Sequence, residues 1–317
     1  MKIHQLILVI LLGVFGVEEL YAQGKASVTA RFNNTTRSKV FFHFNEKPSE
    51  NMEFPYKAGQ TIEFNVELDG ITTLKINTFI VAFIQPGDSL VVDIDYEGSN
   101  YRDARFTGKN PSSILASNTI NKIRYQRVNQ AKYKTNIPAA LAIQTPAKIF
   151  YNSTIEQWKT EISMLDEIKS DITPELYRFV QSEIDGIFIP NLINYPDNDK
   201  QEGYWNALDK YIIRDDHSSL SNNAYLGILN TYMEYKLRKE AYENNKSYER
   251  SKDLNEQYHK IAKFYDGRTR DAALLVFLYG AMQNGKDFET AEKLFQDYVK
   301  HHNINPRYKA LLIEIMK

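Results

Sequence analysis

Cysteine is absent from all 317 residues. That one absence removes a thiolate nucleophile, a disulfide framework and any cysteine-type zinc site, and leaves stability to the hydrophobic core. Neither sign of charge is in excess, with 39 Lys and Arg against 40 Asp and Glu, and there is no long basic run. Nucleic acid and anionic membrane surfaces are recognised through concentrated positive charge, so neither is an expected partner. The Gly-x-x-x-x-Gly-Lys block and the Gly-x-Gly-x-x-Gly fingerprint, whose backbones cradle phosphates, are also missing. No fixed period near the ~34 residues of helical repeat arrays recurs. Past the N-terminus the most apolar run is 79–84, which suits a buried strand and falls far short of the about 20 residues of a membrane span.

The N-terminus itself reads as a signal peptide. Lys2 supplies the positive start, 6–15 (LILVILLGVF) the apolar run, and Leu20-Tyr21-Ala22 a small residue before cleavage at Gln23. The expectation is an exported protein, periplasmic or extracellular, with no stable membrane insertion after cleavage of 1–23. With no cysteine after the apolar run, lipoprotein anchoring is excluded. Cleavage removes Lys2, Glu18 and Glu19 and leaves a formally neutral mature chain. Its 43% apolar content is that of a folded protein, and 21 Tyr with 17 Phe point to aromatic-rich packing.

The pattern changes near residue 109. Before it, short β-forming runs at 27–32, 39–44, 61–66, 73–77, 79–84, 89–96 and 104–107 alternate with turn signals. Those signals are Asn33-Asn34, Lys57-Ala58-Gly59, Asp69-Gly70 and Pro86-Gly87-Asp88. In 89–96 the residues Leu90, Val92, Ile94 and Tyr96 share one face and Ser89, Val91, Asp93 and Asp95 the other, which predicts one buried and one wet face. An antiparallel β-sandwich over 24–108 is the economical reading.

After 109 the period is helical. Ser153-Thr154-Ile155-Glu156 has the form of a capping box opening a helix to about Lys169. Thr173-Pro174-Glu175 predicts a second helix, which Pro190 should end or kink. Tyr225, Leu226, Leu229, Tyr232, Met233 and Leu237 form an apolar stripe, and 272–279 (AALLVFLY) is apolar all round, as a central helix would be. Gly285 punctuates it, Asp287 can cap the next helix, and Phe288, Ala291, Leu294, Phe295 and Tyr298 form the next stripe. The expected fold is therefore α+β: a sandwich at 24–108 and an α-helical bundle domain at 109–317.

Each candidate for chemistry has a plainer reading beside it. Gly87-Asp88-Ser89-Leu90 matches the signature block of GDSL-type esterases, where the serine is a nucleophile on a strand-to-helix turn. Here the block runs into a strand, and the Asp-x-x-His that would supply a base is absent; the nearest forms are Glu256-Gln257-Tyr258-His259 and Asp297 before His301. An ordinary turn is expected. His301 and His302 are adjacent, so on a helix they diverge by about 100° and suit a helix C-terminus better than one metal ion. Asp197-Asn198-Asp199 opens like a calcium loop, but Glu202 and Leu208 stand where glycine and glutamate belong. Asp93 and Asp95 share a strand face that could bind a cation, and Asp215-Asp216-His217 could orient a general base, but a solvated face and a loop between helices are expected. The Tyr-rich segment 225–242 offers either aromatic packing or a groove for a peptide or glycan.

One pattern is more specific. Phe83-Ile84-Gln85-Pro86-Gly87-Asp88-Ser89-Leu90-Val91-Val92, followed by Arg105-Phe106-Thr107-Gly108-Lys109-Asn110, resembles the β-rich domain that opens many exported TlpA-type thiol–disulfide reductases. In that family a "pGDSl-v-v" strand and an "f-GkgaxxN" segment lead into a helical region, and a thioredoxin domain with a Trp-Cys-x-x-Cys active site follows. Leu208-Asp209-Lys210-Tyr211 with 225–235, and 280–298, are similar to that helical region, so the resemblance covers nearly all of the mature chain. The chain stops at Lys317, about where the thioredoxin domain would begin. The resemblance then implies either a stand-alone relative lacking the redox domain or a fragment of a longer protein. Without cysteine it transfers no catalytic, cofactor-binding or metal-binding residue.

The expected function is a non-catalytic exported binding or interaction protein, its partner another protein or an extended ligand met at the aromatic groove or the sandwich edge. Two alternatives come from other classes: a component of a thiol–disulfide system acting with a separate thioredoxin-fold protein, and a serine hydrolase using Ser89.

Overall fold

The computed structural model describes residues 24–57, 59–77, 80–98, 100–130, 145–285 and 287–316; the signal peptide expected over 1–23 lies outside them. Eight strands come first: β1 (Gly24–Thr35), β2 (Lys39–Phe44), β3 (Met52–Pro55), β4 (Thr61–Leu68), β5 (Thr72–Ile76), β6 (Ile80–Ile84), β7 (Ser89–Gly98) and β8 (Asn100–Gly108). They form two four-stranded sheets, ordered β4-β1-β7-β8 and β3-β2-β5-β6. Val28, Ala30 and Phe32 of the first sheet and Val40, Phe42 and Phe44 of the second fill a common core, as period-two alternation requires.

The sandwich departs from the expectation in three respects. Its first sheet is mixed, because β1 runs parallel to β7 with Ser27 opposite Ser89, while the other strand pairs are antiparallel. Alternation reports which face is buried and is silent on strand direction. Asn33-Asn34 does not end β1: Asn34 takes φ 55° inside the strand, and the register with β7 shifts there. The edge strand β3 was not expected, since four residues with a terminal proline give little pattern. Of the expected run 79–84, Phe79 lies outside the described residues. Pro86-Gly87 does form the turn, with Gly87 at φ 86° and the Asp88 amide bonded to the Gln85 carbonyl at 3.1 Å.

Nine helices follow among the described residues: α1 (Pro111–Gln130), α2 (Ala147–Glu167), α3 (Pro174–Asn194), α4 (His217–Leu220), α5 (Asn223–Glu243), α6 (Leu254–Phe264), α7 (Gly267–Asn284), α8 (Phe288–His301) and α9 (Pro306–Ile315). Thr173 caps α3 as expected, accepting from the Leu176 amide. Pro190 does not end α3, which runs on to Asn194. The expected capping box at Ser153–Glu156 sits inside α2, which starts at Ala147; there the Thr154 hydroxyl bonds the Phe150 carbonyl one turn back. Asp287 occupies the N-cap position of α8 in a left-handed conformation, and its side chain accepts no cap hydrogen bond. Phe288 is exposed, whereas Ala291, Leu294, Phe295 and Tyr298 are buried as the stripe predicts.

β6 joins the two halves. Ile80, Ala82 and Ile84 point into the sandwich core, while Val81 and Phe83 pack against Phe179, Val180 and Ile184 of α3 and Ala116 and Ile120 of α1. α1 also seals one side of the sandwich. The Asn121 carboxamide bonds both the amide and the carbonyl of Val81, Ser117 takes the Phe83 amide at 2.9 Å, and Asn118 bonds both backbone groups of Phe106 on β8 at 2.9 Å. At those three positions one helix supplies hydrogen bonds that the two edge strands would otherwise lack.

α3 crosses α5 at Gly186, where an added methyl carbon would lie 2.4 Å from the Ala224 carbonyl carbon. Gly186→Ala is therefore expected to destabilise the protein by about 2–3 kcal/mol through forced separation of the helices. Gly227→Ala on the exposed side of α5, where nothing lies within 4 Å, should stabilise it by about 0.5–1 kcal/mol. Urea unfolding of both variants checks the pair, and a neutral Gly186→Ala would refute the close crossing.

Candidate functional site

Antiparallel pairing of β2 with β5 sets His43 directly opposite Lys75, both facing away from the sandwich core. The chain after β2 folds back over a short 3-10 turn, Pro48–Glu50, and the Asn51 carboxamide accepts the Phe44 amide at 2.7 Å. His43, Phe44, Asn45, Pro48, Asn51 and Lys75 thereby line a cleft of about 320 Å³. Phe41 stacks on His43 with ring centres 6.3 Å apart, fixing the imidazole at the rim.

Behind the cleft lies the seam with the helical domain. Glu183 on α3 is fully buried; its Oε2 accepts from the Asn222 side chain at 3.3 Å and the Thr73 hydroxyl at 3.4 Å. Its Oε1 lies 3.6 Å from the Lys75 ammonium and has no hydrogen-bond donor. Glu46 holds the same seam from the sandwich side. Its carboxylate accepts the Thr73 amide at 2.7 Å, the Thr72 hydroxyl at 2.9 Å and the Asn223 amide at 3.1 Å, in the first turn of α5. Burial and the nearby Glu183 charge push the Glu46 carboxyl up to about 7, while those three donors pull it down.

A second polar hub lies further along α3. Asp185 accepts from Trp158 at 2.7 Å, Arg214 at 2.8 Å and Tyr211 at 3.3 Å. Arg214 also reaches Ser182 at 3.0 Å and Ser219 at 3.1 Å and lies over the Tyr225 ring. Burial raises the Asp185 carboxyl and Arg214 opposes the rise. Sequence reasoning missed both hubs. The available signal was Ser182, Glu183 and Asp185 interrupting an otherwise apolar helix, which a solvated face explains less well than buried pairing.

The residues singled out from the sequence do not come together. Ser89 is exposed at the start of β7, and the Asp88 carboxylate is engaged by the Gln85 amide at 3.0 Å and the Asn110 side chain at 2.7 Å. Asp93 pairs with Arg31 at 3.2 Å, and Asp95 accepts from Asn33 at 2.9 Å. Asp197 pairs with Lys200 and Asp199 with Arg238, across a 3-10 turn rather than a calcium loop. Asp216 caps α4 through the Ser219 amide. His301 and His302 both face Asp297 at 3.8 Å, and burial, reinforced by Arg270, lowers the His302 imidazole below its ordinary range. Among the described residues no group of three or more potential ligands could hold a metal ion. The tyrosines of segment 225–242 serve packing: Tyr225, Tyr232 and Tyr235 are buried, and the exposed Tyr242 stacks on Trp205 at 4.9 Å.

The cleft can offer an imidazole, an ammonium and two carboxamides to a polar ligand. No lining residue carries a hydroxyl or thiol nucleophile.

Because the Glu46 carboxyl binds its proton more tightly folded than unfolded, its contribution to stability is full below about 4.5 and is lost as pH rises through about 7. A carbon-13 titration should place the Glu46 midpoint near 7, and Glu183→Gln should move it down and flatten the pH dependence of unfolding. A wild-type midpoint in the ordinary carboxylate range would contradict the seam geometry.

No family model matches this chain, and neither a curated protein nor a solved structure does.

Proposed function

We propose that this is an exported, non-catalytic binding module, akin to the accessory region of TlpA-type reductases, that recognises another protein or an extended ligand. The carrying observation is the cleft of His43, Asn45, Asn51 and Lys75 set against the buried seam between the sandwich and the helices, since pockets favour such joints. Its donors suit backbone carbonyls or a terminal carboxylate. The engagement of Asp88 by Gln85 and Asn110, and the place of Ser89 in a strand rather than on a strand-to-helix turn, support a role without acyl chemistry. Among the described residues no helix is long and apolar enough to cross a membrane. The resemblance at 83–110 favours one further reading, action beside a separate thioredoxin-fold protein that supplies the cysteines; co-purification with a cysteine-bearing protein of that fold would favour it.

Titration of the mature protein with short polar peptides bearing a free carboxylate should shift the His43 imidazole resonances, and Lys75→Ala should weaken the interaction about tenfold. Peptides that bind without perturbing His43 would move the site elsewhere. A fluorophosphonate probe should leave the protein unlabelled; labelling lost in Ser89→Ala would assign hydrolase chemistry instead.

A further inference from the structure

The two sides of the sandwich are finished differently. On one side α1 bonds the outward backbone groups of Val81 and Phe83 on β6 and of Phe106 on β8 and packs over both edges. On the other, the edges are β3 and β4. β3 is short and ends in Pro55, a usual guard against further pairing. β4 has eight residues, no proline, and an unbroken register with β1.

The hydrogen-bond parity of β4 follows from its neighbour. The Ser27 amide bonds the Asp88 carbonyl at 2.9 Å, on the β7 side of β1. Ser27 is paired with Asn65, so that pair is the non-hydrogen-bonded kind and the Asn65 backbone faces outward. By alternation Thr61, Glu63 and Glu67 also turn their amides and carbonyls to the free edge, while Ile62, Phe64, Val66 and Leu68 face β1. Among the described residues no hydrogen bond joins those outward backbone groups to another element. The side chains add chemistry to this open ladder. Glu63, Asn65 and Glu67 are exposed on the outer face, and the Glu67–Lys25 pair is a loose 3.9 Å between exposed groups. On the inner face Phe64 is half-buried and stacks on Phe54 of β3 with ring centres 5.6 Å apart, an apolar rim beside the edge.

We propose that β4 is a strand-addition site for an extended protein segment with basic residues four apart, a small polar residue between them and apolar residues at the alternate positions. Such a strand completes the backbone ladder, sets Lys or Arg opposite Glu63 and Glu67, and lays its apolar side chains over the Phe54–Phe64 rim. The same charges reject a second copy. Antiparallel self-pairing about Asn65 would place Glu63 against Glu67 twice, and like charges directly opposite are destabilising. This surface belongs to the other sheet from the cleft, so the two recognition sites stand or fall independently.

The test uses the whole mature chain and the peptide acetyl-Ser-Lys-Val-Ser-Val-Lys-Val-Ser-amide. Added peptide should slow amide hydrogen exchange at Glu63, Asn65 and Glu67 by at least about tenfold and leave Ile62, Phe64 and Val66, already bonded to β1, unchanged. Affinity should fall about tenfold in the Glu63→Lys, Glu67→Lys double variant and return with a peptide carrying Glu in place of Lys. Circular dichroism should show both proteins equally folded. Unchanged exchange at millimolar peptide would overturn the proposal. So would slowing at Ile62, Phe64 and Val66 as strong as at the outward amides, or concentration-dependent dimers that protect the outward amides without peptide.

Discussion

Burial of β6 on both faces couples the two halves of the molecule. A strand in an antiparallel sheet ordinarily keeps one wet face, but Val81 and Phe83 continue out of the sandwich into a core shared with α1 and α3. Burying two such side chains stabilises the joint by roughly 1.5–3 kcal/mol each. Phe83 meets Phe179 edge to face at 6.5 Å, which fixes the orientation of α3 against the sheet. Once α3 lies there, its buried polar residues Ser182, Glu183 and Asp185 have no route to solvent and must be satisfied within the protein.

That constraint explains the two hubs. Glu183 and Asp185 occupy a helix whose remaining buried positions are largely apolar, and a carboxylate in such surroundings is costly unless cations and donors meet it. Asp185 is met by Arg214, Trp158 and Tyr211. Glu183 is met less completely, since Oε1 has only the nearby Lys75 charge. Burial, with the nearby Glu183 charge, raises the neighbouring Glu46 carboxyl, and Lys75 stands at the back of the cleft, so the cleft is a by-product of how the two halves are joined.

The sandwich edges show the same logic of satisfaction and its exception. Polar side chains of α1 bond the outer backbone of β6 at Val81 and Phe83 and of β8 at Phe106, whereas β4 keeps its outward backbone groups open. Two glutamates there give the edge a charge preference where an apolar edge would be indiscriminate. The recognition proposed for this protein is in that sense a matter of which backbone groups the fold leaves without partners.

Much of the fold was legible in the sequence because it rests on local rules. Alternation in 89–96, the Pro86-Gly87 turn, Thr173 as a cap and the all-apolar 272–279 each follow from side-chain period or backbone preference within a few residues. The site was far less legible: the GDSL block, the aspartate pairs and the adjacent histidines attracted notice by type, yet Asp88, Asp93, Asp95, Asp197, Asp199, Asp216 and both histidines each have a nearby partner. His43 and Lys75 carry no motif at all. The sequence by itself determined the exclusion of thiol chemistry, the two-part α+β layout and the faces that must be buried, because composition and periodicity act along the chain. Only tertiary structure decided that β1 runs parallel to β7, that β6 is buried twice, that Glu46 faces Glu183, and which sheet edge stays open. Those depend on pairings across tens to hundreds of residues, where no local preference of the chain selects the partner.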